Sequence, residues 1–232
     1  MIDHRPYQDL GVMHRDWLTD KLHFAFANMG RPEHCPLGAL RVWNDDEFAP
    51  RSGFPSHSHE NVEIVTYVLE DAITHQDNLG NKARLEAGSV QVMSAGAEIH
   101  HSEFNAEPVP ARLFQIWIEP RHRGGASRWS SRAFPRADRN GRLMALASGD
   151  PSELSALFIN ADARVLIASM QPGETIVHYL GKGRSAYLVT TVGSIELDGF
   201  PMAPRDGAAV TGEPRFTVTS LSETEIVVVE VG

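Results

Sequence analysis

PSHSHENVEIVTY (55–67) sets two histidines one residue apart and then runs into a β-branched, aromatic-tipped strand. Further along, EIHHSEFN (98–105) again puts histidine and carboxylate one residue apart. Strand side chains alternate between faces, so His57 and His59 point one way, and His101 and Glu103 share a side of their own strand. Each pair can place two ligand atoms on one interior wall, and the corner at Ala95–Gly96 suits a barrel rim. Three imidazoles and one carboxylate make a ligand set for one divalent first-row metal, with positions left open for substrate or dioxygen. His-x-His alone says little. With 11 histidines in 232 residues, chance supplies about half an occurrence, and the second cluster is what gives the first its weight.

Working outward, strand-like segments dominate. ALRVWN (39–44), VEIVTYVL (62–69), ARLEAGSVQVMSAG (83–96) and ARLFQIWIEP (111–120) are separated by turn signals such as DNLGN and EPVP. The pattern resumes with RVLIASM (164–170), SAYLVTTV (185–192), SIELDGF (194–200) and EIVVVEV (225–231). Many short strands at roughly 8–12-residue spacing predict an all-β sandwich or barrel. PSELSALF (151–158), with Asp150 as N-cap, is the one helical candidate. The two halves echo each other faintly: each offers two strands, a turn, and a strand returning through a Gly-centred corner. Two similar barrels in tandem explain that echo. The stretch between them, RHRGGASRWSSRAFPRADRNGR (121–142), carries seven arginines among Gly, Ser and Pro and reads as a solvated connection, the alternative being an arm that docks on an anionic partner or on the protein's own acidic surface.

Composition narrows the class. A net charge of −9 repels a phosphate backbone, so nucleic acid is not the expected partner. No apolar run approaches the ~18 residues of a membrane span, and MIDHRPYQDL at the N-terminus lacks a signal peptide's apolar stretch. A single cysteine, Cys35, rules out an intrachain disulfide and suits a reducing compartment, so the expected location is the cytoplasm.

The spacing His57-x-His59-x3-Glu63, then Gly88…His101-x3-Asn105, resembles the two cupin motifs. More narrowly, GFPSHSHENVEIVTYVLEDAITHQDNLGN with VQVMSAGAEIHHSEFN and LFQIWIEP resembles the pirin family, nearest to bacterial pirin-like quercetin 2,3-dioxygenases. The likeness extends upstream through ALRVWNDD (39–46) and FAFAN. It implies a bicupin, two tandem jelly-roll β-barrels: a metal-binding domain over 1–134 and a degenerate, metal-free one over 135–232. It also implies His57, His59, His101 and Glu103 as ligands of one divalent metal, iron(II) being the first choice ahead of Mn, Co, Ni, Cu or Zn.

Most other cupins use the glutamate four residues after the second histidine, here Glu63, and parity places it with His57 and His59. On the pirin pattern Glu103 is the ligand, while Glu63 orients an imidazole or accepts a proton. Glu103 and Glu63 are therefore the candidate catalytic groups. His100 points to the opposite face from His101, His75 reads as a satisfied surface histidine, and His178 has no His-x-His partner. Phe54, Val65, Met93, Phe104 and the Leu113–Gln115–Trp117 side of one strand are candidate pocket walls. The implied activity is cleavage of a flavonol by dioxygen with release of carbon monoxide. Its rivals are a metal-dependent regulatory protein acting through a protein partner, and a cupin enzyme with another substrate.

Overall fold

The computed structural model describes all of residues 1–232. Strands make up nearly all its regular structure, and the only helical pieces are the 3-10 turns Tyr7–Asp9 and Arg136–Arg139. No helix is long and apolar enough to cross a membrane. The strands sort into four sheets, a seven-stranded and a four-stranded one in each half. These are two jelly-roll sandwiches, and the faint sequence echo has become the same count of strands twice over.

In the first sandwich the large sheet runs Arg128–Ala133, Ser89–Ser94, Glu63–Glu70, Ala111–Ile118, Leu40–Phe48, Leu18–Leu22, Gly11–Arg15. Its small sheet runs Ser52–His59, Ile99–Asn105, Ala72–Asp77, Lys82–Glu86. The strand Ile2–Arg5, although first in the chain, pairs with Gly207–Val210 and so extends the second sandwich.

The two large sheets press face to face. Strands such as EIVTYVLE are buried on both faces because one face looks into its own sandwich and the other at the neighbouring domain. Val65 and Tyr67 join a cluster of 25 buried residues that also takes in Trp43 and Phe114 from the first half and Tyr187, Val227 and Val229 from the second. Each such side chain contributes roughly 1.5–3 kcal/mol by leaving water. Polar ties cross the same seam. Arg205 Nε reaches Asp45 Oδ2 at 2.7 Å, and Arg139 Nη1 donates to the hydroxyl of Tyr67 at 2.9 Å.

The interiors of the two sandwiches differ. The second is filled by one apolar cluster of 17 buried residues. The first holds separate clusters of seven and four, because polar side chains and a cavity occupy the space between them.

Two expectations give way here. No helix forms over 151–158. Asp150 accepts from the N–H and hydroxyl of Ser152, closing a local turn, and Leu157–Phe158 pairs in parallel with Ala147–Ser148. A short segment with a local side-chain competitor cannot offset helix nucleation. The stretch 121–142 is largely exposed, as expected, but it is more than a connection. Arg128–Ala133 forms the outer strand of the large sheet against Ser89–Ser94, Arg139 is buried, and Arg121 binds the carbonyl of Ala161. Arg121 and Arg139 thereby tie the stretch to the body of the protein.

Candidate metal centre

The small sheet positions the histidines. His57 is the direct cross-strand partner of His101, and His59 that of Ile99. Register shifts between His101 and Glu103 because the facing strand bulges at Pro55–Ser56, where proline has no N–H to give the ladder. The bulge lets Phe54 and His57 face the same cavity. Ring centroids of His57 and His101 are 4.5 Å apart, and those of His59 and His101 are 5.1 Å apart.

A ring nitrogen from each of His57, His59 and His101 lies within 4.8 Å of the other two. The N–H at Nδ1 of His57 donates to the carbonyl of Pro55 at 2.8 Å, which leaves Nε2 with its lone pair free. That Nε2 stands 2.9 Å from Nε2 of His59. His101 is 3% exposed, and neither of its nitrogens has a hydrogen-bond partner. A buried imidazole left so unsatisfied is costly. A cation at the meeting point of the three rings removes that cost, so these residues fit a metal. Burial, together with the neighbouring rings, holds His101 down to about 2 and His59 to about 4. Both are neutral donors at any ordinary pH.

Glu103 sits beside this trio rather than inside it. Its carboxylate groups with His101 and His75, again within 4.8 Å. It is buried and faces a polar row that crosses the large sheet through the cross-strand neighbours Gln91, Thr66, Gln115 and Asn44. The amides of Gln91 and Gln115 and the hydroxyl of Thr66 all donate to it. Burial nevertheless dominates those donors and pushes Glu103 up to about 7.

Glu63 does not belong to the site. Its carboxylate accepts from the hydroxyl of Ser94 at 2.6 Å and lines a separate cleft with Arg128 and Asn160, against the other domain. Parity fails to carry from His59 to Glu63 because the chain turns a corner between them, through Asn61 at φ 52°. It leaves the small sheet and restarts in the large one.

His75 is the converse correction: it is fully buried. As the cross-strand neighbour of Glu103, it stacks on Trp129 at 4.9 Å and bonds Asp77 at 3.1 Å. His100 lies outside, near Glu98, and His178 binds Glu230 at 3.0 Å in the second domain.

The histidines open onto a cavity of about 380 Å³ whose walls include Phe54, Trp117, Phe26 and Met29. Gln115 and Trp117 line it as expected. Val65 instead packs between the domains, and Phe104 points outward. The residues missed are on the early strands: Met13, Arg15, Asp20 and Asp46. They carry no local motif, and only the pairing of these strands with one another brings them to one wall.

The chain's relatives agree with this architecture. Residues 4–118 match the family model described as Pirin, and 145–231 match the quercetinase C-terminal cupin domain. A pirin-like protein of Caulobacter vibrioides is 52% identical, with 99% of each chain covered. Quercetin 2,3-dioxygenase of Escherichia coli K12 is 32% identical over 97% of this chain and 96% of its own. Among solved structures, the bacterial pirin YhhW of Escherichia coli in complex with nickel(II) superposes with a TM-score of 0.93 at 32% identity, covering 100% of this chain and 99% of its own.

Proposed function

The chain belongs to the pirin family, and from that premise we propose that it is a metal-dependent dioxygenase that opens flavonols such as quercetin with dioxygen and releases carbon monoxide. The observation that carries the reading is the convergence of His57, His59 and His101 at one end of a largely apolar cavity, with the nitrogens of His101 unsatisfied. A relative bearing the name quercetin 2,3-dioxygenase supports the substrate class.

In this reading the three histidines and Glu103 hold one divalent transition metal. Iron(II) stands first, and Mn, Co, Ni, Cu and Zn are compatible with the same donors. When bound, the metal supplies Lewis acidity and a common meeting point for an ionised hydroxyl and dioxygen. The protein does the rest. Glu103, as a carboxylate at the metal, would accept the proton of the substrate's 3-hydroxyl. Gln91 and Gln115 keep that carboxylate aimed by donating to it. Phe54 and Trp117 offer flat walls to an aromatic ring and exclude water from it.

The test is metal content by mass spectrometry on the native protein, run beside quercetin bleaching on a shift from anaerobic to aerobic buffer with carbon monoxide detection. A stoichiometric redox metal with carbon monoxide release supports the reading. Stoichiometric metal without bleaching moves the function to another substrate or to a regulatory role through a protein partner. Absence of metal after reconstitution ends the assignment.

A further inference from the structure

Facing the histidines across the cavity, the large sheet presents two aspartates that the proposed reaction leaves unused. Asp20 and Asp46 are direct cross-strand partners on neighbouring strands, and both line the cavity. They are 1% and 2% exposed. Oδ1 of each has no hydrogen-bond partner, and neither does Oδ1 of Asn44 two residues before Asp46. Arg15, on the same cavity wall, acts on Asp20 through space, but no guanidinium pairs with either aspartate in the way that Arg112 and Arg205 pair with the adjacent Asp45.

Two neighbouring carboxyls in a low-dielectric wall cannot both stay ionised, so one proton is shared between them and one negative charge remains. Burial raises both carboxyls; beside Asp20 the Asp46 carboxyl is raised further, whereas its interaction with Asp46 holds Asp20 to about 6. A folded protein keeps such a costly arrangement where a ligand supplies the missing donors.

We propose that Asp20 and Asp46, with Asn44 beside them, form a second subsite that accepts hydrogen bonds from hydroxyl groups on the substrate ring remote from the metal. The inference rests on the flavonol reading and narrows it: the preferred substrate carries hydroxyls on its pendant phenyl ring. The chemistry is that of a buried acceptor set, which discriminates strongly against an analogue lacking the donor because its own oxygens are then left unpaired.

The test is an anaerobic titration of metal-loaded protein, followed by quenching of tryptophan fluorescence. The probes are quercetin and galangin, which share the 3-hydroxy-4-keto head and differ only in two phenyl hydroxyls. Wild type is expected to hold quercetin about tenfold or more tighter, the worth of a hydrogen bond to a charged group. In Asp20→Asn and in Asp46→Asn that ratio collapses towards one, with galangin affinity and metal content unchanged. Asp20→Asn serves alone where Asp46→Asn does not fold. Equal binding of the two flavonols by wild type overturns the subsite and leaves the flavonol reading standing. Absence of binding by either flavonol overturns both. Competition by phenethylammonium that depends on Asp46 overturns the hydroxyl assignment in favour of a cation site.

Discussion

His57 and His59 turn their Nε2 atoms to within 2.9 Å of each other, and the carbonyl of Pro55 takes the Nδ1 proton of His57. Two lone pairs at that separation repel unless a proton or a metal stands between them. His59→Ala is therefore expected to weaken divalent metal binding by more than the roughly 10–100-fold that loss of an outer partner costs, and to abolish quercetin turnover. Metal also stabilises the folded state, by about 4 kcal/mol at a thousandfold excess over Kd. Chelation should accordingly lower the melting temperature of wild type and leave that of His59→Ala nearly unmoved, as differential scanning calorimetry would register. Full activity in His59→Ala would sink the ligand assignment.

Glu103 sets how metal affinity responds to pH. Its carboxyl ionises near 7 because burial raises it, whereas His59 and His101 have shed their protons far below that. A raised carboxyl keeps its proton as pH falls, and that proton competes with the metal. Apparent affinity should be flat above about pH 7.5 and drop about tenfold per unit below 6.5. Isothermal titration calorimetry in buffers of different ionisation heat gives the released proton directly. In Glu103→Gln the slope should become shallower, and an unchanged slope would assign the proton elsewhere.

Much of this was legible from alternation alone. His57 with His59, and the Gln115–Trp117 side of their strand, fall where period-two parity puts them, because each pair lies within one unbroken strand. Glu63 was misplaced for the same reason: parity is a property of a strand, and the corner at Asn61 resets it. His75 looked like a strand-end histidine because nothing local reveals that its strand lies beside Ile99–Asn105. Asp20 and Asp46 were invisible as a pair, since only sheet register brings residues so far apart in sequence side by side. The arginines of 121–142 misled through composition. A Gly- and Ser-rich basic stretch reads as a mere connection, and the partners that tie it down, the Ala161 carbonyl and Glu225, lie far along the chain.

Gln115 is expected to behave as an outer partner of the metal. Its amide donates to one oxygen of Glu103 while Gln91 and Thr66 hold the other. Gln115→Leu removes a donor from the charged form without opening a large hole, so it should raise the Glu103 midpoint further. Metal affinity at pH 7 should fall roughly 10–100-fold, and the pH profile should shift to higher pH. Gln115→Glu is the useful contrast: it adds a second buried carboxyl beside the first and should weaken metal binding more steeply as pH falls. Unchanged affinity in Gln115→Leu would mean that Glu103 needs no orientation from the large sheet.

The seam between the domains yields a prediction about stability. Arg139 Nη1 donates to the hydroxyl of Tyr67 at 2.9 Å, and that hydroxyl donates to Glu225 at 2.8 Å. Arg139 also meets Glu225 directly at 3.1 Å, with both side chains almost wholly withdrawn from water. Removing one member of such a buried pair strands the other's charge, and Arg139→Met should cost about 3–5 kcal/mol. Tyr67→Phe deletes only a bridging hydroxyl and should cost about 1–3 kcal/mol, chiefly through the donors and acceptors it leaves unmet. Arg139→Met combined with Glu225→Gln should recover much of the single variant's loss, because no charge is then left buried alone. Since the same seam holds the largest apolar cluster, denaturant unfolding should stay a single transition in all three variants. An early transition confined to one half would show that the domains fold independently of this contact.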